Sequence, residues 1–125
     1  MKTVKTTLKS TLIIDNQEVK NSYLVNIFLE NGLYLQIISE ADDYLLVLET
    51  KKIDCVMINP DLPNKDIYLM IDQIKALYPE IVVIILLNDQ DFEKLLKFVR
   101  LGVDDFLQKP FTWWELENLL NHYYY

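Results

Sequence analysis

Two rhythms of hydrophobic and polar positions alternate along the chain. Short apolar, largely β-branched runs fall at Leu12–Asp15, Leu33–Ile38, Cys55–Ile58, Ile81–Leu87 and Asp105–Leu107. Between them apolar residues recur at helical spacing. The spacing predicts helices over Glu18–Asn31, Asp42–Lys51, Lys65–Tyr78, Asp91–Leu101 and Thr112–Tyr123. In the first, Val19, Tyr23, Leu24, Ile27 and Phe28 carry the stripe; in the third, Ile67, Met70, Ile71, Ile74 and Leu77 do. The punctuation agrees with these bounds. Gly32 and Gly102 close the first and fourth helices, Pro79 follows the third, Pro110 precedes the fifth, and Thr112 suits its N-cap.

Five strand–helix alternations predict an α/β domain: a five-stranded parallel sheet, doubly wound as (βα)5 in the flavodoxin-like manner. The run Ile81–Leu87 is apolar throughout, as a central strand covered on both faces requires. Ligands of such sheets gather at the carboxyl ends of the strands, near the switch in strand order. The positions to inspect are therefore Asp15 and Asn16, Asn59, Leu87 and Asn88, and Lys109.

Length and composition narrow the functional classes. A chain of 125 residues holds one domain, here 11–125, with 1–10 as a sparse, Thr-rich lead-in carrying Lys2, Lys5 and Lys9. A formal net charge of -7 argues against non-specific attraction to nucleic-acid phosphates. No apolar stretch reaches membrane-spanning length, and no signal-peptide pattern is present, so a cytoplasmic location is expected. Cys55, the single cysteine, reads as a small buried hydrophobe. His122, the single histidine, reads as a surface side chain, and Asp42 and Asp43 as favourable negative charge at a helix start.

Four landmarks, in order and with fitting helix lengths between them, carry a resemblance covering Thr11 to Tyr123. They are TLIIDN (Thr11–Asn16), DCVMINPDLPNKD (Asp54–Asp66), GVDDF (Gly102–Phe106) and KPF (Lys109–Phe111). Together they resemble the bacterial response-regulator receiver domain, the family of the chemotaxis regulator. The resemblance implies a two-component signalling role. It also implies a phospho-acceptor carboxylate after the third strand and an acidic pair after the first that helps hold Mg²⁺. A Thr or Ser after the fourth strand and a Lys after the fifth complete that site. Many relatives continue into a DNA-binding output domain.

This chain departs from that pattern at three positions. Asn59 stands at the acceptor position, Asn16 replaces one member of the acidic pair, and Leu87 stands where a hydroxyl is expected. Asp15 and Lys109 are kept. A neutral amide is a poor nucleophile, so Asn59 is not expected to form an acyl phosphate. Deamidation does not rescue it, because Pro60 lacks the N–H that the usual route requires. Mg²⁺ favours hard, charged oxygens, so its binding is expected to be weak or absent, with Asp15 a vestige of the metal site. Neither a cofactor nor enzymatic activity is expected. Lys109 is expected to pair with Asp15 or to bond the Asn59 side-chain oxygen, leaving the site satisfied without metal.

The expected function is an atypical receiver working through protein–protein contact or dimerisation in signal transduction or transcription control. The face is expected to comprise the fourth helix, fifth strand and fifth helix, the surface through which the family usually signals. Its candidates are Phe92, Leu95, Phe106, Trp113, Trp114 and Leu119, with Leu96, Val99, Leu116 and Leu120 assigned to the core. No membrane contact and no direct nucleic-acid contact by this domain are expected. Two alternatives remain open. One is a phospho-accepting receiver using another carboxylate such as Asp61. The other is a flavodoxin-like binder of a small ligand, which the lack of a Gly/Ser/Thr-rich loop after the first strand disfavours.

Overall fold

A computed structural model describes residues 9–16, 23–39, 43–63, 65–88 and 91–124. Strands β1 (Lys9–Ile14), β2 (Leu33–Ile38), β3 (Cys55–Ile58), β4 (Val82–Leu87) and β5 (Asp105–Gln108) alternate with five helices. These are α1 (Tyr23–Glu30), α2 (Tyr44–Thr50), α3 (Ile67–Leu77), α4 (Phe92–Arg100) and α5 (Trp113–Tyr124). All strand pairs are parallel, in the order β2-β1-β3-β4-β5. The expected doubly wound sheet is thus present. The first strand starts earlier than its apolar run, so Lys9 and Ser10 of the expected lead-in are sheet residues. Their pairing is backed by the Asp54 carboxylate, which accepts from the Ser10 N–H at 2.9 Å. The expected helical residues 18–22 and Asp42 lie outside the described residues.

Strand alternation sorts the core into two layers. On one face Leu12, Ile14, Val56, Ile58, Val83, Ile85 and Leu87 pack with α2, α3 and α4. On the other, Ile13, Cys55, Met57, Ile84, Leu86 and Leu107 pack with α1 and α5. Cys55 is fully buried, as its apolar neighbourhood suggests.

The helix ends follow local chemistry. Asp66 caps α3, accepting from the Leu69 N–H at 3.0 Å, and Asp91 caps α4 by accepting from Glu93 and Lys94. Thr112 and Glu115 form a reciprocal capping box at the start of α5. At the end of α4, the Val103 N–H reaches the Phe98 carbonyl at 3.2 Å and the Gly102 N–H reaches that of Val99 at 3.0 Å. This closure places Gly102 at φ +91°, a conformation natural to glycine.

Asp104, within the GVDDF landmark, has a structural role. Its carboxylate accepts from the Val83 N–H at 2.8 Å and from Lys75 Nζ at 2.6 Å, joining β4, β5 and α3. Tyr123 fastens the end of α5 to β5: its hydroxyl donates to the Asp104 carbonyl at 2.9 Å and approaches Asp105 Oδ2 at 3.2 Å. Burial, and then the nearby Asp105 charge, push its pKa up to about 12.

The expected apolar face needs correction in its phase. Phe98 is the buried residue of α4, stacked on Tyr68 with ring centroids 5.2 Å apart. Leu95, expected outward, is half-buried against the first core layer. Leu96 and Val99, expected inside, are each 55% exposed. The helix holds two stripes at helical spacing, Leu95–Phe98 and Phe92–Leu96–Val99, and periodicity alone cannot choose between them. The closure at Gly102 and Val103 brings Val103 into the same core layer as Phe98 and so fixes the inward stripe. Phe106 and Leu119, also expected outward, are half-buried. Trp113 is half-buried with its ring edge-on to Phe28 at 5.5 Å, whereas Trp114 is 67% exposed. Among the side chains described, the exposed large apolar residues of α4 and α5 are therefore Phe92, Leu96, Val99 and Trp114.

Candidate functional site

The sheet reverses its winding at β1, which pairs with β2 on one side and β3 on the other. The crevice of a doubly wound sheet opens there, at the strand carboxyl ends. Register places Ile14 beside Ile58, so the next residues of the two strands, Asp15 and Asn59, become neighbours. Backbone bonds fix both: Asn59 N–H to the Ile14 carbonyl at 2.9 Å and Asp15 N–H to the Ile38 carbonyl at 3.0 Å. Asp15 is fully buried and Asn59 nearly so.

Burial makes hydrogen bonding obligatory for these side chains. Asn59 Nδ2 donates to Asp15 Oδ1 at 3.0 Å and to Asn16 Oδ1 at 3.3 Å. Asn59 Oδ1 accepts from the Asp61 N–H at 2.9 Å and is 3.5 Å from Asn88 Nδ2. The amide can lie only one way round, because a carboxylate must accept and a backbone N–H must donate. Lys109 Nζ makes a short contact with the other oxygen of Asp15, Oδ2. β5 delivers that lysine: its N–H bonds the Leu87 carbonyl at 2.8 Å. Of the two partners expected for Lys109, Asp15 is the one the geometry provides.

Leu87 is buried in the core layer that includes α4 and has no hydroxyl to offer the site. The sequence-derived residues Asp15, Asn16, Asn59, Leu87 and Lys109 thus all meet at one end of the sheet. Sequence reading pointed to Asn88 and Asp61 but missed Lys94 and the bonds that join the three. Asp61 Oδ1 accepts from Lys94 Nζ at 2.8 Å, and Asp61 Oδ2 from Asn88 Nδ2 at 3.0 Å. The bonds from Lys94 and Asn88 hold the Asp61 carboxyl below the usual carboxylate range. Lys94 sits 33 residues away, so no local spacing could reveal this pair.

The site's donors can be compared with the demands of Mg²⁺, the ion that the family resemblance implies. That ion takes charged oxygens in near-ideal octahedral geometry. Asp15 is the buried carboxylate of the crevice, and its two oxygens are engaged by the Asn59 amide and the Lys109 ammonium. Among the described residues, no group of three His, Cys, Asp or Glu side chains is placed to hold a metal ion. These residues do not fit Mg²⁺. The amide at position 59 also lacks the charge and nucleophilicity that attack on phosphorus demands.

Comparison with known proteins places the whole arrangement. The response regulator receiver domain family matches residues 11–121. The alkaline phosphatase synthesis transcriptional regulatory protein PhoP of Bacillus subtilis (strain 168) is 27% identical over 107 residues, 83% of this chain and 43% of that protein. The uncharacterized transcriptional regulatory protein YbdJ of the same organism is 31% identical over 117 residues, 90% of this chain and 51% of that protein. The chain thus spans about half the length of these curated relatives. Among solved structures, the beryllofluoride-activated NtrC4 receiver domain dimer superposes with a TM-score of 0.84, at 23% identity, covering 94% of this chain and 97% of that one. No described helix is long and apolar enough to cross a membrane. With the sheet order, the crevice and the family match in agreement, the chain belongs to the response regulator receiver domains of two-component systems.

Proposed function

We propose that this receiver does not accept a phosphoryl group at its usual position. In this reading it acts as a non-enzymatic interaction module, through contact with a protein partner or a second copy. The observation carrying the reading is the bonding of Asn59. An amide held at both ends, by Asp15 and by the Asp61 N–H, occupies the place where a nucleophilic carboxylate is required. The loss of a hydroxyl at Leu87 supports it, as does the engagement of Asp15 by Lys109. The interaction surface in this reading is α4 with the start of α5, where Phe92, Leu96, Val99 and Trp114 are exposed. Exposed large apolar residues often mark contact sites, and Trp is frequent among the energetic centres of such sites. The NtrC4 receiver is a dimer, which makes self-association a natural form for the contact. The curated relatives are named as transcriptional regulators, so the output of the whole protein is proposed to be transcription control.

Incubation with an acyl phosphate and Mg²⁺, read by intact-protein mass spectrometry, tests the first half of the proposal. No phosphoryl adduct is expected on the wild-type chain. An adduct mapping to Asp61 or Asp15 would replace this reading with that of a phospho-accepting receiver using another carboxylate.

A further inference from the structure

The two halves of α4 are fastened by different means. Phe98, the buried residue of the helix, and the closure at Gly102 and Val103 hold its C-terminal half. In its N-terminal half Phe92 is exposed, Leu95 is half-buried, and Lys94 reaches across to Asp61 at 2.8 Å. Asp61 belongs to the loop leaving β3. Its N–H bonds Asn59 Oδ1, and its second carboxylate oxygen takes the Asn88 amide from the end of β4. A continuous run of bonds therefore leads from buried Asp15 through Asn59 and Asp61 to Lys94. We propose that Asp61 is a permanent anionic anchor, positioned by Asn59, that fixes the N-terminal half of α4 and so sets the placement of Phe92 and Leu96.

The chemistry suits a fixed device. Asp61 carries its charge without modification, and the flanking ammonium of Lys94 and the Lys109 charge both favour the ionised form. Asn59 contributes an acceptor that orients the Asp61 backbone, a task its oxygen performs without being a nucleophile. Asn59 in this arrangement is a positioning residue. Its contribution to regulation is to keep one geometry of the helix rather than to switch between two. The functional meaning of the anchor rests on the proposed role of the α4 surface. The anchor itself does not, because helix dynamics can be read whether or not phosphorylation occurs.

Backbone amide hydrogen exchange in Asp61→Asn, Lys94→Met, their double variant and the charge-reversed pair Asp61→Lys/Lys94→Asp provides the test. The informative amides are Leu95, Leu96 and Lys97, the first to close hydrogen bonds within the helix. Leu95 does so to the Asp91 carbonyl at 3.0 Å. Each single variant is expected to speed their exchange about two- to fivefold, the range of a partly exposed ion pair. The double variant should add little to either single, and the reversed pair should recover part of the protection. Amides of α1 and α5 should keep wild-type rates. Unchanged exchange at residues 95–97, a uniform change across the chain, or fully additive singles would overturn the anchor. A phosphoryl adduct on Asp15, with the local exchange pattern as expected, would overturn the proposed function and leave the anchor standing, whereas an adduct on Asp61 itself would overturn both.

Discussion

The Asn59 amide nitrogen lies 3.0 Å from Asp15 Oδ1, with neither side chain open to solvent. The Asp15 charge is compatible with burial because Asn59 donates a hydrogen to one of its oxygens and the Lys109 ammonium meets the other. Asn59→Asp would set two carboxylates side by side, a repulsion of a few kcal/mol at an effective dielectric of about 20. The variant is expected to melt several degrees below wild type in the presence of a chelator. Millimolar Mg²⁺ should recover much of that loss, because two adjoining carboxylates begin to resemble its ligand set. The wild-type melting temperature should stay flat over the same titration. A rise of several degrees in the wild type would show that one carboxylate suffices and would end the metal-free account.

The Lys109–Asp15 pair makes the second prediction. Asp15 is fully buried and the lysine side chain is 13% exposed, so neither charge has water to fall back on. Lys109→Met removes the cation and leaves the buried carboxylate without it, a change expected to destabilise by about 3–5 kcal/mol. Removing both charges, as Asp15→Asn with Lys109→Met, should restore much of that loss, since the desolvation of each ion disappears with it. Urea midpoints of the two variants give the comparison. Equal losses in the single and the double variant would mean that packing of the lysine stem, not charge, sets its contribution.

Much of this was legible in the sequence because the relevant signals are local. Period-two and period-3.6 runs, with Gly32, Gly102 and Thr112 as punctuation, located the five strands and five helices. Strand ends then brought Asp15, Asn16, Asn59, Leu87 and Lys109 into one crevice. What escaped was non-local or degenerate. The Asp61–Lys94 pair joins a loop to a helix across 33 positions. The inward stripe of α4 was ambiguous because Leu95–Phe98 and Leu96–Val99 have the same spacing and similar hydropathy. Only tertiary contact, Phe98 on Tyr68 and Val103 in the same core layer, distinguishes them. Phe106 and Leu119 were misplaced for a related reason. A sheet covered on both faces gives even its edge strand and flanking helix partial cover, which binary patterning cannot express.

Acid should act on Asp61 in a definite direction. Its pKa lies below the ordinary value of 3.8, chiefly through the Lys94 hydrogen bond and then that of Asn88. The folded state therefore holds the ionised form more strongly than the unfolded chain does. The resulting stability is present above about pH 4 and is lost as pH falls through the folded-state pKa. Because the Asp61 side chain is 41% exposed, the effect is small and weakens with salt. Asp61→Asn should flatten the acid limb of stability below about pH 4 and reduce its salt dependence there. Identical acid limbs in wild type and variant would assign the acid response to other carboxylates.

The last prediction concerns assembly. Leu96 and Trp114 are 55% and 67% exposed, so glutamate at either position enters no core and should leave the fold intact. Leu95 differs: it is half-buried against the core, and Leu95→Glu should unfold or loosen the domain without testing an interface. The wild-type domain is expected to sediment as a dimer, and Leu96→Glu with Trp114→Glu as a folded monomer. In a symmetric dimer each change occurs twice, so even about 1–2 kcal/mol per site weakens association by roughly two orders of magnitude or more. Circular dichroism of the double variant separates loss of assembly from loss of fold. A wild type that stays monomeric at high concentration would transfer the surface from self-association to a different protein. A dimer unmoved by the two glutamates would place the contact elsewhere, away from α4 and the start of α5.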